Sequence, residues 1–501
     1  MKSSIRSGQL ALSALCLAMI SVPLRLLATG QLSEPPVPHA TVTTLTKPGF
    51  FTEPGVAIDP LDPNKVTVIY QDNVHVAFTD DAGVHWTNEP HVEPPNWRVS
   101  GDVSVTYDNH GHAIGSYMAF NRLGTYSYWA HDAPDGGLFI RRSMDGGANW
   151  ETQAHAVIQH VGKHPPAIWE DKPFIVADRS HGPYAGNLYV GWTRWTLTGS
   201  EIVLSRSTDD GLKWSTPIEI DSHPGLPRDA TGANEGFWGT VGPDGTLYAV
   251  WADASHIAFT RSSDGGRTFT RARDVIATAP IMYDLEGLSR ANGFPQLAID
   301  PRSAPGAPHG RLYVVWADYR NGEVDVFLSS SVDRGDHWIP AVRVNDDPLH
   351  DGADHFFPAL AVDPITGDVY VCFYDRRGDP HNQAAIMTLA RSTDHGRTFV
   401  DYAWTKKSFT MHNVFMGDYI ALAARGDYVY GVWTEHVELP EAPTPVPEHV
   451  KKRAAPKPAP EHAKLSAVSH VKQAGASKPV PTKPHRRHND TVIRVGIATF
   501  H

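Results

Sequence analysis

Short runs of hydrophobic residues alternate with polar, Gly- and Pro-rich segments along most of the chain. Two kinds of run recur. The first ends in Ala-x-Asp-Pro or a related sequence, as at 298–301, and the second resembles Tyr-Val-x-Trp, as at 313–316. Val, Ile, Tyr and Trp favour strands, and Gly, Pro and Asp favour the turns between them. The pattern therefore predicts an all-β chain.

A characteristic turn follows the second run in six places. It fits Ser/Thr-x-Asp-x-Gly-x-x-Trp/Phe, with starts 55 to 69 residues apart, at 79–86, 143–150, 207–214, 262–269, 331–338 and 392–399. The Asp can accept hydrogen bonds from its own turn, and the Gly permits a positive φ. One short strand leads into each turn and another leaves it. Each repeat thus supplies four strands, which make one antiparallel blade of a β-propeller.

The number of blades depends on the two ends of the chain. A seventh pair of runs, 419–423 and 428–433, has no such turn after it. Residues 491–500 return as a strand and fit the third position of that blade, and residues 41–46 can supply the fourth. We therefore predict a seven-bladed propeller closed by both ends of the chain, with a six-bladed sialidase-type propeller as the alternative.

The six turns resemble Asp-box, or BNR, repeats, which occur in the sialidase superfamily and in several unrelated β-propeller groups. The resemblance implies the propeller fold and a glycan ligand. Sialidases carry an Arg in an Arg-Ile-Pro motif before the first inner strand, as one of three arginines that grip the substrate carboxylate. This sequence has Thr52-Glu53-Pro54 there. An acid at that place would repel a sialic acid, so the resemblance does not imply sialidase activity and carries over no catalytic residue.

Composition divides the chain into three parts. Lys2 and Arg6 precede the apolar run 10–22, and the small residues at 28–30 suit a signal peptidase. Residues 437–490 are rich in Pro, Lys, Ala and His and cannot bury a core. We therefore predict a signal peptide, a single propeller domain and a disordered insert, at 1–30, at 31–436 with 491–501, and at 437–490.

Net charge and the N-terminal segment limit the kinds of partner that we expect. The formal net charge is -11 although the insert is basic, so the propeller is acidic and repels polyanions such as nucleic acid. The apolar run at the start is too short to span a membrane, so we expect a secreted or periplasmic protein. The basic insert would tether it to an anionic envelope polymer or serve as a passive spacer.

Cys372 is the one cysteine after the predicted signal peptide, so we predict no disulfide framework.

Candidate site residues lie on the face opposite the six turns, where the inner strands begin. We predict five catalytic residues there: Asp418, Tyr419, Glu53, Asp102 and Glu235. The ends of the second strands add predicted substrate-binding residues: Asp318, Arg320, Asp375, Arg376 and Arg377. Paired carboxylates with a nearby Tyr and Arg suit glycoside hydrolysis, which needs an acid for the leaving oxygen and a base or nucleophile opposite.

Structural roles are the alternative for several of these residues. An acid ends the second strand in five blades, which is typical of a turn cap, and the Asp318–Arg320 and Asp375–Arg377 pairs could hold neighbouring blades. Asp418 and Tyr419 depart from the repeat, because Pro occupies the Tyr position in blades one, three, five and six. That departure makes them the leading candidates.

Metal binding is not indicated. The chain has 27 histidines, but outside the predicted insert none shows His-x-x-His spacing, and there is no Cys-x-x-Cys pair, so no zinc site is predicted. A Ca²⁺ held by Asp side chains and carbonyls near the channel is compatible with the sequence but not specified by it.

Three functions remain open. The first is a secreted sialidase-like glycoside hydrolase on an unidentified glycan, and the second is a non-catalytic extracellular propeller that binds a glycan or a protein. The third is a polysaccharide lyase with Tyr or His as base. Two close carboxylates in a funnel would favour the hydrolase, a flat face the binding protein, and a His-Tyr-Arg cluster the lyase.

Overall fold

The computed structural model describes residues 34–438 and 490–500, except 72, 91, 95–96, 98, 123–132, 134, 163–167 and 303–308. The predicted signal peptide lies outside the described residues, as does nearly all of the predicted insert. The described residues form seven antiparallel sheets, six of four strands and one of five. Among them, no helix is long and apolar enough to cross a membrane.

Strand β1 (Thr41–Thr44) precedes blade one, and the blades then follow in chain order. Blade one contains β2 (Thr52–Ile58), β3 (Val66–Gln71), β4 (His75–Thr79) and β5 (Thr87–Pro90). Blade two contains β6 (Val99–Tyr107), β7 (Ala113–Phe120), β8 (Gly136–Ser143) and β9 (His155–His160). Blade three contains β10 (Ile168–Ala177), β11 (Leu188–Thr196), β12 (Ser200–Ser207) and β13 (Ile218–Glu219).

The remaining blades repeat this order. Blade four contains β14 (Asn234–Val241), β15 (Leu247–Asp253), β16 (His256–Ser262) and β17 (Arg273–Ala277). Blade five contains β18 (Gln296–Asp300), β19 (Arg311–Asp318), β20 (Asp325–Ser331) and β21 (Val342–Arg343). Blade six contains β22 (His355–Val362), β23 (Val369–Asp375), β24 (Ala384–Ser392), β25 (Val400–Ala403) and the short β26 (Phe409–Thr410). Blade seven contains β27 (Ala421–Arg425), β28 (Tyr428–His436) and β29 (Thr491–Thr499).

Both ends of the chain meet in blade seven. Its strand order is β1-β29-β28-β27, and β1 pairs antiparallel with β29 from Thr41 opposite Ile497 to Thr44 opposite Arg494. The predicted seven-bladed architecture is therefore confirmed, and the six-bladed alternative was wrong. The first and the last strand of the chain therefore pair with each other and close the ring.

Apolar side chains of the second strands fill the space between blades. Trp192, Trp251, Trp316 and Trp433 occupy matching places in four blades and are essentially inaccessible to solvent. Each such ring removes on the order of 150–250 Å² from water, so these strands contribute strongly to hydrophobic stabilisation.

The repeated turns fasten each blade to the one before it. In the turn at 207–214, Ser207 Oγ donates to Asp209 Oδ1 at 2.9 Å, and Lys213 N–H donates to the same oxygen at 2.9 Å. Gly211 has a φ of 83°, and a Cβ there would clash with Ile140 of blade two. Only Gly satisfies both conditions, which explains its place in the repeat.

Candidate functional site

Irregularities in the inner strands shape the face opposite the turns. In five blades the pairing between first and second strands shifts by a bulge. The bulge residues have positive φ values, although four of them are not glycine: Glu53 (52°), Asp102 (44°), Lys172 (52°), Gly236 (76°) and Phe357 (49°). Bulges re-aim side chains, and strained backbone of this kind concentrates at functional sites.

The strand register corrects one sequence inference. By their pairing, Ala421 of blade seven corresponds to Ala359 of blade six, which directly follows Pro358. Ile420 therefore occupies the proline position, and Tyr419 lies one residue earlier, at the bulge. The departure from the repeat that singled out Tyr419 was an error of alignment by one residue.

Lys172 joins three carboxylates from three blades. Its Nζ lies 2.9 Å from Glu235 Oε1, 3.2 Å from Asp418 Oδ2 and 3.5 Å from Asp171 Oδ2. All four side chains are buried. A buried ammonium among carboxylates gains more from Coulomb attraction than an exposed one, so Lys172 holds the inner strands of blades three, four and seven together.

Asp418 also forms an ion pair with an arginine and accepts hydrogen bonds from an asparagine. Arg290 forms ion pairs with both Asp418 and Asp229. The Asn292 amide donates to Asp418 Oδ1 at 3.2 Å and to its backbone carbonyl at 3.0 Å. These contacts stabilise a negative charge on Asp418 and fix the orientation of its carboxylate.

Glu235 contrasts with Asp418. The hydroxyl of Tyr283 donates to Glu235 Oε2 at 2.7 Å. Burial raises the pKa of Glu235 to about 8, despite the opposing effect of Lys172. Burial also raises the pKa of Tyr283 well above its ordinary value, so its hydroxyl keeps its proton. Glu235 is thus a carboxyl group that carries a proton near neutral pH.

Glu53 and Asp102 form a second carboxyl pair beside Asp418. The Asp418 N–H donates to Glu53 Oε1 at 2.9 Å, and the Gln71 amide bonds the other Glu53 oxygen. Burial, followed by the charge of Asp418, raises the pKa of Glu53 to about 7. Burial and the charge of Glu53 raise the pKa of Asp102 well above its ordinary value. Both effects are expected where neighbouring carboxyls share a site.

Tyr419 contacts the inner strand of blade two. Its hydroxyl donates to the Val103 carbonyl at 3.0 Å, and it lines a cavity of about 200 Å³ together with Lys172, Asn292 and Asp418. The remaining wall is largely apolar, with aromatic rings from several inner strands. Among the described residues, none of the six repeated turns contributes to this cavity.

The predicted substrate-binding residues of blade five lie apart from this cavity. Asp318 is fully buried, and Arg320 Nε donates to its Oδ1 at 2.8 Å. The Arg320 guanidinium also lies over the ring of Phe327, 4.4 Å from its centroid. This pair stabilises the end of the second strand, as the alternative interpretation expected.

The three predicted substrate-binding residues of blade six are also held within the fold. Arg377 donates to Asp375 at 2.7 Å and to Asp401 at 2.6 Å. Arg376 is fully buried, donates to the Glu286 carbonyl at 2.8 Å and lies over the ring of Phe356. The structure therefore brings together all five predicted catalytic residues and none of the predicted substrate-binding ones.

Sequence reasoning missed Lys172, Tyr283 and Asn292, and it gave Arg290 no role. Lys172 precedes a proline just as Glu53 does, so alignment of the inner strands would have found it. The other three lie on the connection from Ala277 to Gln296, which has no strand. An unusually long connection between repeats is itself a functional signal.

Raised carboxyl pKa values make folding stability depend on pH. The folded state keeps a proton on Glu235 that the unfolded state releases above its ordinary pKa of 4.5, so stability falls as pH rises from 4.5 to about 8. We expect Glu235→Gln to flatten this decline in the melting temperature, measured by calorimetry from pH 5 to 8. Glu438→Gln, at an exposed side chain, should leave it unchanged. An unaltered slope in Glu235→Gln would contradict the assigned proton.

No protein-family model matches the chain, and no curated protein matches it. Similar solved structures include a Hadza microbial sialidase, with 17% identity, a TM-score of 0.43, and coverage of 74% of this chain and 71% of that one. A leech intramolecular trans-sialidase has 13% identity and a TM-score of 0.43, over 74% of this chain and 69% of that one. An α-L-arabinofuranosidase of family GH93 from Fusarium graminearum has 11% identity and a TM-score of 0.46, over 70% and 97%.

Proposed function

We propose that this protein is a secreted glycoside hydrolase with Glu235 as general acid and Asp418 as nucleophile. The supporting observation is the contrast between two carboxyl groups on either side of Lys172. Burial keeps a proton on Glu235, whereas Arg290 and Asn292 contact the carboxylate of Asp418 and orient it. A protonated carboxyl beside a second, oriented carboxyl is the pair that acid and nucleophile roles require.

The spacing of the two carboxyls favours retention of configuration. One ammonium nitrogen lies 2.9 Å from Glu235 Oε1 and 3.2 Å from Asp418 Oδ2. These oxygens are therefore closer than the roughly 6.5–9.5 Å typical of inverting enzymes, which must fit a water between the groups. In the proposed reaction, Glu235 protonates the glycosidic oxygen while Asp418 attacks the anomeric carbon. Water then releases the sugar, with Glu235 as base.

The charges at the site favour a neutral glycan. Lys172 and Arg290 face Glu53, Asp102 and Glu235, whose pKa values are raised, and three further acids, Asp171, Asp229 and Asp418. Even with protons on the first three, the remaining acids outnumber the two cations. A substrate carboxylate would meet repulsion here, in keeping with Glu53 where sialidases carry an Arg. We therefore propose that the chain is an Asp-box propeller related to the sialidase superfamily, as its turns suggest, and that its substrate is not a sialoside.

A non-catalytic glycan-binding propeller is the second candidate. The observation that favours it is the burial of Glu53, Glu235 and Asp418, each about 1% exposed, which suits a network that closes the channel. The lyase is disfavoured, because burial raises the pKa of Tyr283 and of Tyr419 well above the range of a useful base.

A substrate screen separates these functions. Purified protein would be incubated with fluorogenic arabinofuranosides, pyranosides and sialosides and with neutral and uronate polysaccharides, beside Glu235→Gln prepared in parallel. If the protein is a hydrolase, it should release new reducing ends from one of these substrates, and Glu235→Gln should not. Binding in calorimetry without turnover of any substrate would replace it with the binding propeller. Unsaturated products from uronate polymers would indicate the lyase.

A further inference from the structure

A second cavity lies on the axis of the ring, at the end where the first strands of the blades finish. It has a volume of about 460 Å³, and residues of all seven first strands line it: β2, β6, β10, β14, β18, β22 and β27. The first and third strands of an antiparallel blade run in the same direction, so the cavity lies toward the side of the six repeated turns. Glu235 and Asp418 do not line it.

Positive charge distinguishes this cavity from the rest of the molecule. Its described wall contains two arginines, Arg179 and Arg425, and no acid. The other wall residues are apolar, small or uncharged polar residues. The cavity is therefore cationic inside a protein whose formal net charge is -11.

Both arginines depart from the repeat. The pairing of first and second strands places Arg425 of blade seven where blade six has Asp363. Arg179 follows the end of the first strand of blade three, and the corresponding residue in four other blades is a proline: Pro60, Pro243, Pro301 and Pro364. The repeat itself thus requires a cation at neither position, and the symmetry of the fold does not account for this pair.

The acids near this end of the blades are directed into their own turns. Asp59 Oδ1 accepts a hydrogen bond from the Leu61 N–H at 2.8 Å, and Asp178 Oδ1 accepts one from the Ser180 N–H at 3.0 Å. Both acids are buried, and neither lines the cavity. They therefore serve as turn caps and leave the charge in the cavity unbalanced.

The two guanidinium groups act on each other. Arg425 Nη2 donates to the Pro60 carbonyl at 2.8 Å, which orients this guanidinium without neutralising it. Arg179 is exposed toward the cavity, but the surrounding strands desolvate it in part. That desolvation, followed by the charge of Arg425, lowers the pKa of Arg179, so the two cations lie near enough to repel each other.

We propose that this cavity binds a small oxyanion, a phosphate or carboxylate group, between Arg179 and Arg425. A guanidinium presents several N–H donors in one plane, an arrangement that matches both kinds of oxyanion. The anion would relieve the repulsion between the two arginines, and the cavity has room for a larger molecule that carries the charged group. The site is independent of the proposed hydrolase activity, because neither Glu235 nor Asp418 lines it.

The test uses the full chain in a buffer of low ionic strength that contains no polyvalent anion. Sodium phosphate at about 20 mM should raise the melting temperature by about 2 °C or more, and NaCl at matched ionic strength should raise it less. Calorimetric titration with the same anion should show saturable binding. Sodium succinate, tested in parallel, distinguishes a site for carboxylates from one for phosphates, and a response to either supports the proposal.

Arg179→Gln separates the site from a general effect of salt. Because Arg179 is exposed toward the cavity, the variant should fold, and it should be at least as stable as the original protein without oxyanion, since a repulsion is removed. It should lose the rise in melting temperature with phosphate or succinate. Arg271→Gln, at an exposed arginine of blade four outside the cavity, should retain that rise.

Three results would overturn the proposal. The first is a rise in melting temperature with NaCl that equals the rise with both oxyanions, which would indicate charge screening. The second is an undiminished oxyanion response in Arg179→Gln, which would place the anion elsewhere. The third is a lower melting temperature of Arg179→Gln without oxyanion, which would show that the fold already balances this charge.

Discussion

Glu235→Gln is expected to lower kcat/KM by roughly 10²–10⁴-fold on glycosides with poor leaving groups, the usual contribution of a general acid. The carboxyl proton that burial maintains on Glu235 is lost, and the amide that replaces it cannot protonate an alkoxide. Gln keeps the volume and can still accept the hydrogen bond from Tyr283, so the geometry around it should persist.

Leaving-group dependence identifies the role more sharply than the loss of rate alone. A dinitrophenyl glycoside needs no proton to depart, so Glu235→Gln should cleave it with a much smaller loss than an alkyl glycoside. Rates would be compared over a series of leaving groups, with Glu438→Gln as the exposed control. An equal loss across the series, or a matching fall in melting temperature, would mean that Glu235 supports the structure without donating the proton.

The propeller could be predicted because its repeats carry their own local chemistry. The Asp of each turn bonds residues two before and four after it, so short sequence windows specify the turn, as Asp209 does with Ser207 and Lys213. Ring closure by β1 and β29 followed from counting strands rather than from any local signal. The antiparallel pairing of β1 with β29 confirms it.

The site could be predicted only in part, because some of its residues lie on repeated strands that the sequence reveals and others lie on an irregular connection. Glu53, Asp102 and Glu235 lie near the starts of the first strands of their blades, and Asp418 lies three residues before the first strand of its own, so the radial symmetry of the fold brings them close together. Tyr283 belongs to an irregular connection, and no repeat specifies where such a segment folds.

The predicted substrate-binding residues lie away from the central cavity for a related reason. Asp318 and Asp375 are each followed two residues later by an Arg. The sequence cannot distinguish a charge that faces a ligand from one that is neutralised within its own turn. In the structure Arg320 and Arg377 bond those neighbouring acids, which accounts for the recurrence of the pattern in both blades.

Lys172→Met is expected to destabilise the protein by about 3–5 kcal/mol, the cost of leaving buried charges without their partner. Lys172 is the common neighbour of Asp171, Glu235 and Asp418, and its side chain is 7% exposed. Met preserves the length and the apolar stem, so the loss reports the ammonium rather than packing. Denaturant unfolding and calorimetry would measure it, with Lys213→Met at an exposed turn as the control.

A double variant distinguishes the loss of charge pairing from a general loss of packing as the cause of the lower stability. Asp418→Asn removes one of the charges that Lys172 neutralises, so Lys172→Met/Asp418→Asn should be more stable than the sum of the single changes predicts. The deficit of Lys172→Met should also grow with rising pH, because Glu235 and Glu53 ionise with pKa values of about 8 and about 7. Additive effects that do not vary with pH would show that the blades are held by their apolar cores and that Lys172 is not the centre of the cluster.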